Sequence, residues 1–132
     1  MPHSVALSPD RDLVILTVRG GITAAAAIEF NREQHLLGVK SGVSRYLTDL
    51  CDCRNVDTVT NNLDFALRGM ADAAVDKDAR VAVLVSPGDY SHDYLEGAFR
   101  CAGLDVVFFT DRLLAEEHLR DGLSIPRSLR KS

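Results

Sequence analysis

Two thiols two residues apart, Cys51 and Cys53, sit between carboxylates in the segment "YLTDLCDCRN". Such a pair could share a metal, or cycle between thiol and disulfide. Structural zinc takes four ligands, usually in paired short-spaced groups, and redox pairs favour Cys-x-x-Cys at a helix start. The remaining donors, Cys101, His3, His35, His92 and His118, have no paired spacing. We therefore read Cys51 and Cys53 as small apolar fillers at a strand end, with no metal and no cofactor.

A second set lies in "SPGDYSHDYLEG", with Ser86, Asp89, Ser91, His92 and Asp93. A hydrolase would need a nucleophile, a base and an acid converging in space, and adjacent helical residues diverge. No Gly-x-Ser-x-Gly elbow is present. The simpler assignment makes Asp89 and Ser91 helix caps and leaves His92 in solvent. A small hydrolase using the Ser86–Asp93 loop is the alternative. A third set, Asp49, Asp52 and Asp57, could hold Mg²⁺ or transfer protons. The first long strand ends in "RGG", which supplies no further acid, so Asp49 is expected to bind loop amides.

These groups must be placed by the elements between them. "SVAL" and "DLVILTVRG" read as a hairpin around the turn "SPDRD", with Pro9 presetting φ and Asp10 offering a local side-chain bond. Val14, Leu16 and Val18 share one face of the long strand, and Leu13, Ile15 and Thr17 the other. "GGI" breaks the strand, and Thr23 caps a helix from about Ala24 to Leu37, with Ala27, Phe30, Gln34 and Leu37 inward and Gly38 as the stop. "SRYLTDL" is the third strand. Thr58 or Thr60 caps a second helix carrying Leu63, Leu67, Met70 and Ala74. "RVAVLVS" is apolar enough to be a central strand covered on both faces. A third helix follows, with Leu95, Ala98, Phe99 and Ala102 inward. "DVVFFT" is the fifth strand, and Thr110 or Asp111 caps a fourth helix with Leu114, Ala115, His118 and Leu119 in its inner region.

Strand alternating with helix predicts an α/β fold, a mixed and mostly parallel five-stranded sheet with an N-terminal hairpin and about four helices. A chain of 132 residues, 46% hydrophobic and 26% charged, fits one domain, expected over 1–122 with a basic tail at 123–132. The net charge of −4 argues against nucleic acid as a partner. The start "MPHSVALSPDRD" lacks the basic and apolar regions of a signal peptide, and no apolar run reaches the roughly 20 residues of a transmembrane segment. Three cysteines suit a reducing cytoplasm better than a disulfide framework.

Several of these words resemble the SpoIIAA-like (STAS-type) domain family, and most closely its bacterial members of undefined function, which also resemble CRAL-TRIO-type lipid-binding domains. "LVILTVRGGIT" is similar to the family's strand and Gly-x-Thr helix entry. "RYLTDLCDCRNVDT" is similar to its Leu-x-Asp-Leu strand running into the switch loop. "RVAVLV" and "DVVFFTDRLLAEEHL" resemble its later strand and closing strand–helix. In anti-sigma factor antagonists of this family the loop reads Asp-Ser-Ser-Gly, and its second serine is phosphorylated. Here it reads Asp57-Thr58-Val59-Thr60, so Val59 stands where that hydroxyl would be and Thr60 replaces the glycine. The resemblance implies a non-catalytic cytosolic binding or regulatory module. It would meet a protein partner or small apolar ligand through Asp49, Asp57, Thr58, Ser86, Asp89, Tyr90 and Tyr94. A phospho-switch at Thr58 or Thr60 is a further alternative. The wide apolar set Tyr90, Tyr94, Leu95 and Phe99 also leaves room for a homodimer.

Overall fold

A computed structural model of the chain describes residues 3–58, 61, 79–93, 96 and 105–121. Five strands form the main sheet: β1 (His3–Leu7), β2 (Val14–Val18), β4 (Arg45–Asp49), β6 (Arg80–Leu84) and β7 (Asp105–Phe109), in the order β1-β2-β4-β6-β7. β1 runs antiparallel to β2, and every other neighbour is parallel. The expected hairpin and parallel core are both present. Ser8 fixes the hairpin turn: its hydroxyl donates to Asp12 Oδ1 at 2.8 Å and accepts from the Leu13 amide at 3.1 Å. Arg11, at φ 58°, takes the left-handed corner.

All five residues of β6 are buried, the pattern of a strand covered on both faces. Register carries the alternation across the sheet. Val14, Tyr46, Val81 and Val106 form one row. They belong to the core beneath α1 (Ala24–Ser41), together with Leu16, Val18 and Ala27. Leu13, Leu47 and Ala82 lie on the opposite face under α2 (Arg112–Asp121), against Ala115 and Leu119.

α1 opens as its sequence predicts, with Thr23 accepting from the Ala26 amide at 3.2 Å. Its buried Gln34 donates to the carbonyls of Val14 and Leu47 at 3.1 and 3.2 Å, fixing the helix over β2 and β4. The helix does not stop at Gly38. It continues to Ser41 and ends at Gly42, whose φ of 71° is the left-handed cap. Gly38 lies against Tyr46, and a Cβ there would run into the phenol.

Three further expectations change. "GGI" is not only a break: Gly20 turns the chain at φ 84°, and β3 (Gly20–Ile22) then pairs in parallel with β5 (Cys53–Asn55) as a separate two-stranded sheet. On α2, Leu114 is exposed, because Ala115 and Leu119 are the residues that face the sheet, and His118 is half-buried against Phe109. Two helices are described, where about four were expected. The expected helix over Leu63–Ala74, the expected helix over Leu95–Ala102 apart from Glu96, and the tail lie outside the described residues. Among the described residues no helix is long and apolar enough to cross a membrane.

Candidate functional site at the carboxyl edge of the sheet

The parallel strands β2, β4 and β6 all end at one edge, and the segments leaving them are laced together there. Asp49, the last residue of β4, accepts from the Cys51 amide at 3.0 Å and from the Arg112 guanidinium at 3.4 Å. It is the loop-binding carboxylate that the sequence suggests, with an added tie to the first turn of α2. Ser86 follows β6 and donates its hydroxyl to the Cys51 carbonyl at 2.6 Å. Asp89 accepts from the Ser91 amide at 2.9 Å. Burial pulls the Asp89 carboxyl upward, but the Ser91 bonds and the nearby His92 and Arg54 hold it below the usual range.

His92 is not in solvent. It is 1% exposed, with Nε2 2.9 Å from the Cys53 carbonyl and 3.7 Å from Asp89 Oδ2. The turn through Pro87 and Gly88 folds the 89–93 segment back onto β5, and the imidazole fills the contact. Nε2 must carry the proton to bond that carbonyl, and the buried Nδ1 has no partner among the described residues. The helix that Asp89 or Ser91 was expected to cap lies outside the described residues except for Glu96. The Ser91 hydroxyl accepts from the Asn55 amide at 3.1 Å, a second tie to β5.

Asp57 ties its own loop to the start of α1. Oδ2 accepts from the Ala24 amide at 2.7 Å, and Oδ1 from the Thr58 amide and the Asn61 side chain, both at 2.7 Å. These bonds, the Ala24 amide foremost, hold its carboxyl below the ordinary carboxylate value. Thr58 is exposed, and its hydroxyl accepts from the Asn61 amide at 3.1 Å, as a cap does.

The two cysteines are not paired on one extended strand. Cys51 lies in the turn after Leu50, half-buried, and Cys53 begins β5 at 3% exposure. Burial, reinforced by Asp49 and Asp52, pushes the Cys51 thiol up to about 11. Burial and then Asp89 push Cys53 up to about 11. Both are protonated near neutral pH, and nucleophilic or metal-binding sulfur is the thiolate. Beside them lies an open cleft of about 440 Å³, lined in part by Asp52, Arg54, Ser86, Gly88 and Asp89.

The structure thus brings Asp49, Asp57, Thr58, Ser86, Asp89 and Tyr90 to one edge, while Tyr94 and Thr60 lie outside the described residues. Sequence reading missed Arg112, Asn55 and Val56, and singled out Ser91 without its tie to Asn55. Arg112 had a signal, its place in the first turn after the closing strand; the others depend on how the loops fold back.

A solved structure of a DUF3478-family protein from Shewanella loihica PV-4, described as having a SpoIIAA-like fold, matches with a TM-score of 0.55. It is 18% identical, over 89% of this chain and 92% of that one. The chain has a SpoIIAA-like fold. The anti-sigma factor antagonist SpoIIAA in its unphosphorylated form matches this SpoIIAA-like chain with a TM-score of 0.51 and 14% identity, over 90% of this chain and 98% of that one. A scan against protein-family models gives no match, and a search of curated proteins gives none.

Proposed function

We propose that this SpoIIAA-like chain is a non-catalytic regulatory module that binds a protein partner through the carboxyl edge of its sheet. One observation carries the reading. Of the six large hydrophobic side chains exposed among the described residues, four (Val56, Tyr90, Leu113 and Leu114) lie on segments at that edge. Exposed apolar surface of this kind marks contact sites. The polar groups around it are engaged in holding loops: Ser86 on one carbonyl, His92 on another, Asp57 on the Ala24 amide that starts α1. Ser86 and His92 serve separate backbone groups and do not form a nucleophile–base pair. The similarity to an anti-sigma factor antagonist supports a regulatory role for such a surface. The cleft's charged lining suits a protein contact better than a small apolar ligand, and free thiols suit a cytoplasmic setting.

A phospho-switch has one observation in its favour, the exposed Thr58 hydroxyl beside Asp57. Intact-mass measurement of the chain purified from its host, with Thr58→Ala as control, tests it; a protein with no added phosphate removes it. The binding reading is tested by cross-linking in the host followed by mass spectrometry of linked peptides. Intermolecular links should fall on 49–58, 86–93 and 111–114. Links confined to α1 would overturn it.

A further inference from the structure

Resting on that reading, we infer that the partner meets this edge with a cationic amphipathic segment of protein, basic side chains set among apolar ones. The exposed apolar side chains come as two pairs. Val56 and Tyr90 stand on the two segments that the Ser91–Asn55 bond ties together, at 62% and 75% exposure. Leu113 and Leu114 stand in the first turn of α2, beside the Arg112 that reaches Asp49. The cleft lined by Cys51 and Asp89 opens at the same edge, and the Cys51 thiol feels both Asp49 and Arg112.

Charge decides what covers this surface. The segments 49–58, 86–93 and 110–114 carry the carboxylates of Asp49, Asp52, Asp57, Asp89, Asp93 and Asp111, and only Arg54 and Arg112 among guanidiniums. That local excess of four negative charges equals the net charge of the whole chain, −4. Arg19 sits apart, in a separate depression with His3, Ser4 and Thr17. Asp49, Asp57 and Asp111 spend their bonds on the protein itself, while Asp52 and Asp93 are exposed. An apolar face within such a field attracts a basic partner, repels an acidic one and repels nucleic acid phosphates.

The test titrates the isotope-labelled full chain with two synthetic helical peptides, one of leucines and lysines in amphipathic order, the other with glutamate at every lysine. The lysine peptide should shift the amide resonances of 49–58, 86–93 and 111–115, and bind at least about tenfold more tightly than the glutamate peptide at low salt. Raising the salt should weaken it. Asp52→Lys with Asp93→Lys, both on exposed side chains, should cost about tenfold in affinity. Their undisturbed spectra would show that the fold is kept, and Tyr90→Ala gives an independent, uncharged loss. Equal binding of both peptides at the edge would overturn the charge inference and leave the contact-surface reading standing. Shifts confined to the exposed Leu36 and Val39 of α1, or no binding of either peptide, would overturn both.

Discussion

Asp57 Oδ2 accepts the backbone N–H of Ala24 at 2.7 Å. A loop that follows β5 thereby supplies a charged partner to the first turn of α1, thirty-three residues earlier, while the other oxygen gathers Thr58 and Asn61. Helix-starting amides lack intrahelical acceptors, so a carboxylate there acts through both hydrogen bonding and the helix dipole. Asp57→Ala should lower the urea midpoint more than Asp57→Asn, which keeps one acceptor oxygen. The folded carboxyl is held below its unfolded value, so its contribution is present above the ordinary carboxylate range. It fades as the pH falls through the folded value. Wild type and Asp57→Ala should converge in stability in strong acid.

The Asp12–Arg120 pair fastens α2 to the start of β2, with Arg120 Nε 2.7 Å from Asp12 Oδ2. The Arg120 bond, with help from Ser8, holds the Asp12 carboxyl down at about 2. Both side chains are part-exposed, at 29% and 36%, so screening leaves the pair worth about 1 kcal/mol. Asp12→Asn should destabilise by that amount near neutral pH. The difference should hold above about pH 4, shrink as the pH falls through the folded value of about 2, and vanish below it. Chemical denaturation at a series of pH values measures it.

Glycine-to-alanine changes inside a helix usually stabilise by about 1 kcal/mol. Gly38 should behave oppositely, because a Cβ there meets the buried Tyr46 ring. We expect Gly38→Ala to destabilise by about 1–3 kcal/mol, as overpacking does. Thermal unfolding decides the sign, and Lys40→Ala on the exposed side of the same helix gives a control.

Both Cys51 and Cys53 have thiols pushed up to about 11. At pH 7 each should react with iodoacetamide at least about tenfold more slowly than free cysteine, with Cys51 ahead of the more buried Cys53. Peptide-resolved mass spectrometry separates the two sites. Fast labelling of either at neutral pH would show a reactive thiolate and contradict the structural role given to them.

Much of the sheet was legible because its signal is local. Val14, Leu16 and Val18 alternate with Leu13 and Ile15 onto two different cores, as period-two patterning requires. Thr23 and Asp111 announce their helices by type and place, and Asp111 accepts from the Leu113 amide at 2.9 Å. The edge was less legible because its order comes from contacts between distant segments. Nothing near His92 in the chain signals the Cys53 carbonyl thirty-nine residues away. The β3–β5 pair is three residues long and begins with two glycines, which read as a breaker until a partner strand is present. Gly38 reads as a helix stop, and only the position of Tyr46 reveals a close approach. Ala115 and Leu119 take the inner face as their spacing suggests, but Leu114, placed with them, is left outside because the helix turns it away from the sheet.

The most direct measurement places a photoreactive amino acid at Tyr90 on the carboxyl edge, or at Val39 on α1, and irradiates the chain in its host. Contact through the edge predicts a discrete protein adduct from position 90, diminished by Asp52→Lys with Asp93→Lys, and none from position 39. An adduct only from position 39, or none from position 90 in an otherwise folded protein, would contradict the account.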